Sequence, residues 1–290
     1  MAELTILEPS PNGCFSQNRT VPKWLNLHLR VQALCEYTFF MSNLTKRNYK
    51  FILTYDGTKY YGWEHQPKVE ETIQGKIENV LKKMLDEDVE VTGCGRTDAG
   101  VSARGYVCNA HLATDEKPEN VRDYLNRYLP DNICVDECII ASDRFHARYN
   151  ATGKTYRYTC YVGKTKPVFD RKFVYVLDFM PDIEAMRKAA SHLMGEHDFA
   201  SFCSNPKMKK STVRKVDSIV IEKNGDYLTF TYHGSGFLQH MVRILTGTLL
   251  EVGEGKRDAD SIPALIDAKE RAKAGACAPA NGLCLIKVDY

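Results

Sequence analysis

The legible periodicity begins near Asn48. "YKFILTYDG" (49–57) is a short β-rich run closed by Asp56-Gly57. Beyond it Ile73, Ile77, Val80, Leu81, Met84 and Leu85 fall on one helical face that opens at Thr72. "VEVTGCG" (89–95) reads as a strand entering a loop, and "GYVCNAHLA" (105–113) as the strand leaving it. Pro118 starts a second helix with Val121, Tyr124, Leu125, Tyr128 and Leu129 on one side. "NICVDECIIAS" (132–142) follows as a strand. This is the β-α-β-β-α-β order of a ferredoxin-like unit.

The remainder repeats that order. "TYRYTCYV" is a strand, and a helix after Pro181 aligns Ile183, Met186, Ala190 and Leu193. "VDSIVIEKNGDYLTFTYHG" is a hairpin turning near Asn224-Gly225. A long helix is predicted from about Phe237 toward Gly253, a shorter one from Asp260 toward Ala268, and "GLCLIKVDY" closes the sheet. The pattern predicts an α+β fold of two tandem ferredoxin-like halves, residues 46–148 and 149–290, whose antiparallel sheets flank a central cleft. Residues 1–45 break the pattern and read as a disordered or dispensable extension, with Met41 able to begin a complete protein.

Composition narrows the classes. The 290 residues are 43% hydrophobic and 26% charged, ordinary for a globular chain. A net charge of +2 means that any basic surface has to come from clustering. No apolar run is long enough for a bilayer, so no membrane partner is expected. Ten scattered cysteines contain no C-x-x-C pair; they suit the reducing cytoplasm and predict no structural metal.

Candidate chemistry centres on "GCGRTDAGVSARG" (93–105), which sets Arg96 and Asp98 between Gly93, Gly95, Gly100 and Gly105. Those glycines give the backbone access to positive φ and to close approach by another molecule. In extended backbone, side chains two apart leave on one face, so Arg96 is expected beside Asp98, keeping the carboxylate ionised. A charged carboxylate suits a nucleophile rather than a general acid. A loop-stiffening ion pair would look the same in sequence, and a cysteine nucleophile at Cys94 is a further alternative.

Two stretches supply basic residues. "RFHARYNATGKTYRYTCY" (144–161) interleaves Arg148, Lys154 and Arg157 with tyrosines, an arrangement that fits RNA stacking and phosphate pairing or, equally, a strand with solvated cations. "NPKMKKSTVRKV" (205–216) carries Lys207, Lys209, Lys210 and Arg214 without an acid. In "GFLQHMVRILTG" (236–247) His240 and Arg243 share a face off the apolar stripe, where an arginine is ordinarily a solvated or interdomain residue.

Taken together, "YDGTKYYGW", "GRTDAGV", "FHARYNATGKTYRY", "GEHDFASF", "FLQHMVRILTG" and "GLCLIKVDY" closely resemble, in order, the motifs of the tRNA pseudouridine synthase A family. The resemblance runs from about Tyr49 to Tyr290. It implies isomerisation of uridine to pseudouridine in the anticodon arm of tRNA, at positions 38, 39 and 40, by a homodimer that needs no cofactor. It implies that Asp98 is the nucleophile and that Arg96 holds the extruded nucleotide or fills its place. Tyr156 would stack on the uracil and serve in proton transfer, and Arg243 would pair with Asp98 from the second half. Ser102 and Tyr106 stand where the family usually has His and Gln, and Glu64 where it has Gln. These departures fall where RNA contacts would be expected, and they leave open an RNA-binding paralogue of narrowed or lost activity.

Overall fold

The computed structural model describes residues 45–205 and 208–290. The expectation for residues 1–45 therefore lies, Thr45 apart, outside the described residues. Strand β1 (Arg47–Tyr55) buries Tyr49, Phe51, Leu53 and Tyr55 at alternate positions, as a half-buried strand must. It pairs antiparallel with β3 (Ser102–Leu112) on one side and β4 (Ile133–Ile140) on the other. Helix α1 (Ile73–Leu85) starts where the Thr72 hydroxyl accepts the Gly75 N–H at 3.3 Å. It ends on Asp86 in left-handed backbone. Helix α2 (Pro118–Tyr128) buries Val121 and Leu125. The run 89–95 contracts to the two-residue strand β2 (Thr92–Gly93), paired with β3.

After β5 (Gly153–Tyr161) come the short β6 (Tyr175–Val176), helix α3 (Ile183–His192) and β7 (Gly195–Asp198). The hairpin β8 (Val213–Asn224) and β9 (Tyr227–Gly234) turns at Gly225. Helices α4 (Met241–Gly253) and α5 (Ile262–Ala268) precede β10 (Leu283–Asp289). Helix α4 begins four residues later than the apolar pattern suggests, because His240 takes φ 60° and interrupts the helical backbone before it.

The strands form one sheet in the order β4-β1-β3-β10-β5-β9-β8-β7, with β2 attached to β3 and β6 to β5. This corrects the expectation of two antiparallel sheets flanking a cleft. The last strand is responsible: β10 runs antiparallel to β5 and parallel to β3, through Cys284 opposite Ser102 and Leu285 opposite Ala103. One strand thus covers two edges that would otherwise present unpaired peptide groups. Two apolar cores sit on either side of this seam. Leu285 and Val288 of β10 belong to the first core, Leu283 to the second, and the half-buried Tyr156 packs against both.

Helix α4 is apolar nearly all round, and every residue but Arg243 and Glu251 is buried. Its Gly247 lies under the 275–278 segment so closely that an added Cβ would come 1.8 Å from the Ala276 carbonyl oxygen. That segment is bonded to α4 through Gly275 N–H to Thr248 Oγ1 (3.0 Å) and Ala278 N–H to the Arg243 carbonyl (3.1 Å), so it has little room to yield. Helix propensity favours alanine over glycine by only about 1 kcal/mol. Gly247→Ala is therefore expected to destabilise by about 1–2 kcal/mol, as overpacking does, and to lower the thermal midpoint by several degrees. An unchanged midpoint would contradict this packing.

Candidate active site

The connection from β2 to β3 is the loop that carries Arg96 and Asp98, and it is tied down along its length. Cys94 N–H donates to the Val107 carbonyl (2.8 Å), Gly100 N–H to the Tyr60 carbonyl (3.2 Å) and Trp63 N–H to the Thr97 carbonyl (3.2 Å). The Tyr106 hydroxyl donates to the Gly95 carbonyl at 2.5 Å, and the Lys154 ammonium to the Cys94 carbonyl at 2.7 Å. Side chains alternate along it. Thr97 turns inward, its hydroxyl 2.9 Å from that of Tyr55, while Arg96 and Asp98 turn out into a cleft. Of the four glycines in the stretch, Gly100 takes a positive φ (82°). Gly93 and Gly105 make room for protein rather than for a nucleotide: a Cβ would meet the Tyr106 hydroxyl at 2.1 Å and the Ile286 carbonyl at 2.4 Å.

The cleft measures about 580 Å³ and opens between this loop, β5 and the first turn of α4. Asp98 is about a quarter exposed in it. Its Oδ2 accepts from Arg243 Nη1 at 3.0 Å, and its Oδ1 lies 3.5 Å from His240 Nε2. Arg243 is held at a second point, since its Nε donates to the Ala278 carbonyl at 2.7 Å. On a helix whose other flanks are buried, Arg243 has the cleft to point into, and it brings a fixed guanidinium to the carboxylate. Tyr156 lines the same wall with its ring edge-on to Phe237, 5.3 Å between centroids. Burial holds its phenol well above the ordinary tyrosine range, and the nearby Asp98 charge adds to the effect.

Arg96 does not pair with Asp98, as the sequence spacing had suggested. Its guanidinium forks onto Glu64, with Nη2 2.6 Å from Oε1 and Nε against Oε2. Glu64 follows the buried Trp63, which the loop itself holds in reach of Arg96. Arg148, Lys209, Lys210, Arg214 and His240 all line the cleft. Lys154 lines it too, but as a strut under the loop; burial lowers its ammonium below the usual lysine range. Arg157 is misplaced by the sequence reading. It neighbours Tyr156 on β5, so the strand turns it to the opposite face, where with Arg104 it lines a separate pocket of about 350 Å³. Lys207 lies outside the described residues.

Two departures from the family pattern prove internal. Tyr106 is fully buried, stacked on Trp63 at 4.0 Å, and Ser102 is buried with its Oγ accepting the Gly57 N–H at 3.0 Å. Neither reaches the cleft, which corrects the expectation that they meet RNA. Cys94 is also buried, and burial pushes its thiol upward, away from the thiolate a nucleophile needs. The sequence reading missed Phe237, the Ala278 carbonyl and the Trp63 anchor. "YYGW" was a visible signal for the last, but a backbone acceptor 35 residues from Arg243 leaves none.

Comparison with known proteins places the chain in a family. The family described as "tRNA pseudouridine synthase" matches residues 52–150 and 189–290. The chain belongs to this family. Family members are isomerases, and the matched segments hold Arg96, Asp98, His240 and Arg243. Lys154 and Tyr156 fall between them. Among curated members, tRNA pseudouridine synthase A 1 of Clostridium tetani is 46% identical over 244 residues, covering 84% of this chain and all of that protein. The A 2 protein of Clostridium perfringens is 41% identical over the same span and the same coverage. The A 2 protein of Bacillus anthracis is 40% identical over 245 residues, covering 84% of this chain and 99% of its own.

The Tyr106 hydroxyl is the clamp on this loop most open to test. Tyr106→Phe leaves the Gly95 carbonyl without that donor while keeping the ring stack. The expected cost is about 1–3 kcal/mol, read as a lower urea midpoint. An unshifted midpoint would show that the clamp carries no stability.

Proposed function

We propose that this protein converts uridine to pseudouridine in the anticodon stem-loop of tRNA, at position 38, 39 or 40, with Asp98 as nucleophile. The observation that carries the reading is the Asp98 carboxylate, fixed by Arg243 at 3.0 Å in a cleft also lined by Arg148, Lys209, Lys210, Arg214, Tyr156 and Phe237.

The reaction breaks the C1′–N1 bond, turns the uracil and forms C1′–C5; N1 gains a proton and C5 loses one, so atoms balance and no electrons are exchanged. No cofactor enters this scheme. The target nucleotide leaves its stack at a cost of a few kcal/mol, roughly. Stacking on Tyr156, at about 1–3 kcal/mol, offsets part of this. Phosphate contacts from Arg148, Lys209, Lys210 and Arg214 offset more. Asp98 bonds to the nucleotide while the base rotates, and Arg243 orients the carboxylate by holding one oxygen. The high-lying Tyr156 phenol keeps its proton at neutral pH, so it acts as a donor or relay beside the base. Lys154 supports the loop from below and His240 steadies the other carboxylate oxygen.

The same proposal includes a cytoplasmic homodimer and two related ferredoxin-like halves, 46–148 and 149–290, contributing Asp98 and Arg243 respectively. Of the three departures that left a binding-only paralogue open, Ser102 and Tyr106 lie inside the protein and Glu64 faces the cleft.

Asp98→Asn is isosteric and should fold and bind tRNA, yet form no pseudouridine in tRNA lacking it, as mapped by pseudouridine-specific chemical cleavage. Full activity in that variant would overturn the assignment. Arg243→Lys cannot reach both Asp98 and the Ala278 carbonyl. Misplacing the carboxylate should cost on the order of 10²-fold in single-turnover rate while tRNA affinity stays within a few-fold. A wild-type rate would remove Arg243 from its positioning role.

A further inference from the structure

Seven lysine and arginine side chains line the cleft among the described residues, and two carboxylates stand against them, Asp98 and Glu64. The mechanism uses the first and leaves the second without a task. A carboxylate at the mouth of a cleft for a polyanion repels its own ligand. Yet Glu64 is held there firmly. Trp63 before it is buried, stacked on Tyr106, with its N–H on the Thr97 carbonyl and its own carbonyl accepting from Gln74 N–H at 3.0 Å. His65 after it donates its N–H to Gln74 Oε1 at 2.8 Å.

The contact that Glu64 makes explains its position. Both its oxygens meet nitrogens of Arg96, in the same planar fork that an arginine offers a phosphate. The Arg96 and Glu64 side chains are 67% and 46% exposed. A pair so wet contributes only about 0–1 kcal/mol to folding. It is too weak to be a staple and weak enough to exchange.

We propose that Glu64 occupies Arg96 as an internal stand-in for an RNA phosphate and thereby sets how tightly the cleft holds RNA. The proposal rests on the RNA-modifying reading above. An RNA that takes Arg96 has to displace Glu64 and then tolerate an unpaired carboxylate among its phosphates. RNA seated by the rest of the cleft offsets that loss, whereas loosely bound RNA does not. Glu64 therefore trades affinity for selectivity.

The test compares full-length protein bearing Asp98→Asn alone, to prevent turnover, with the same protein carrying Glu64→Gln or Glu64→Asp. Binding of an unmodified tRNA transcript is measured across a salt series. Glu64→Gln should bind several-fold tighter at low salt, with a log–log salt slope steeper by the ~0.7–0.9 expected of one added phosphate contact. Glu64→Asp retains the charge and should keep the parent slope. Unchanged or weaker binding by Glu64→Gln, or an Asp variant that behaves like Gln, would sink the proposal while leaving the enzyme assignment standing. Failure of all three proteins to bind tRNA would overturn both.

Discussion

The ion pair between Asp98 and Arg243 joins residues 145 positions apart and spans the seam between the two cores. Everything else at the site can be seen as holding its two ends still. On one side, five hydrogen bonds pin the backbone of the loop, two donated by it to the Val107 and Tyr60 carbonyls and three accepted by it from Trp63, Tyr106 and Lys154. On the other, α4 is buried on nearly every flank and Arg243 is anchored again by the Ala278 carbonyl. An exposed pair of this kind would be worth little. Here the surroundings fix both partners, so the carboxylate is oriented before any ligand arrives, and less order has to be imposed on binding.

That architecture depends on protein-on-protein contact beneath a loop that looks bare in sequence. Glycines at 93 and 105 leave space that Trp63, Tyr106 and Ile286 fill. The loop that carries Asp98 thus rests on the first core, while Arg243 comes from a helix buried in the second. Mutations in either core that shift β10 will be felt at Asp98 without touching it.

The elements with strong local periodicity were legible in the sequence: β1 through its alternating tyrosine, phenylalanine and leucine, α1 and α2 through their stripes, the β8–β9 hairpin through Asn224-Gly225. The start of α4 was not, because a left-handed histidine leaves no mark in an apolar pattern. Nor was the joining of the strands into one sheet, which depends on the partner chosen by β10 and not on its composition. At the site, the outward face shared by Arg96 and Asp98 followed from a period of two, but their partners did not. Glu64 and Arg243 reach them from distant segments, and spacing along one strand says nothing about what lies across from it. Arg157 shows the opposite limit. The alternation that turned Tyr156 toward the cleft had already turned its neighbour away.

The place of β10 in the sheet has a consequence for synthesis of the molecule. On the edge of β3 away from β1, Ser102 and Ala103 pair with Cys284 and Leu285, roughly 180 residues later in the chain. At about 5–20 residues per second, a ribosome takes on the order of ten to forty seconds to cover that distance. Through that interval the nascent first half has an open strand edge and lacks Leu285 and Val288 from its interior. The first half is therefore made as a half-finished sheet, and the pairing of Asp98 with Arg243 can close only after residue 243 has been added.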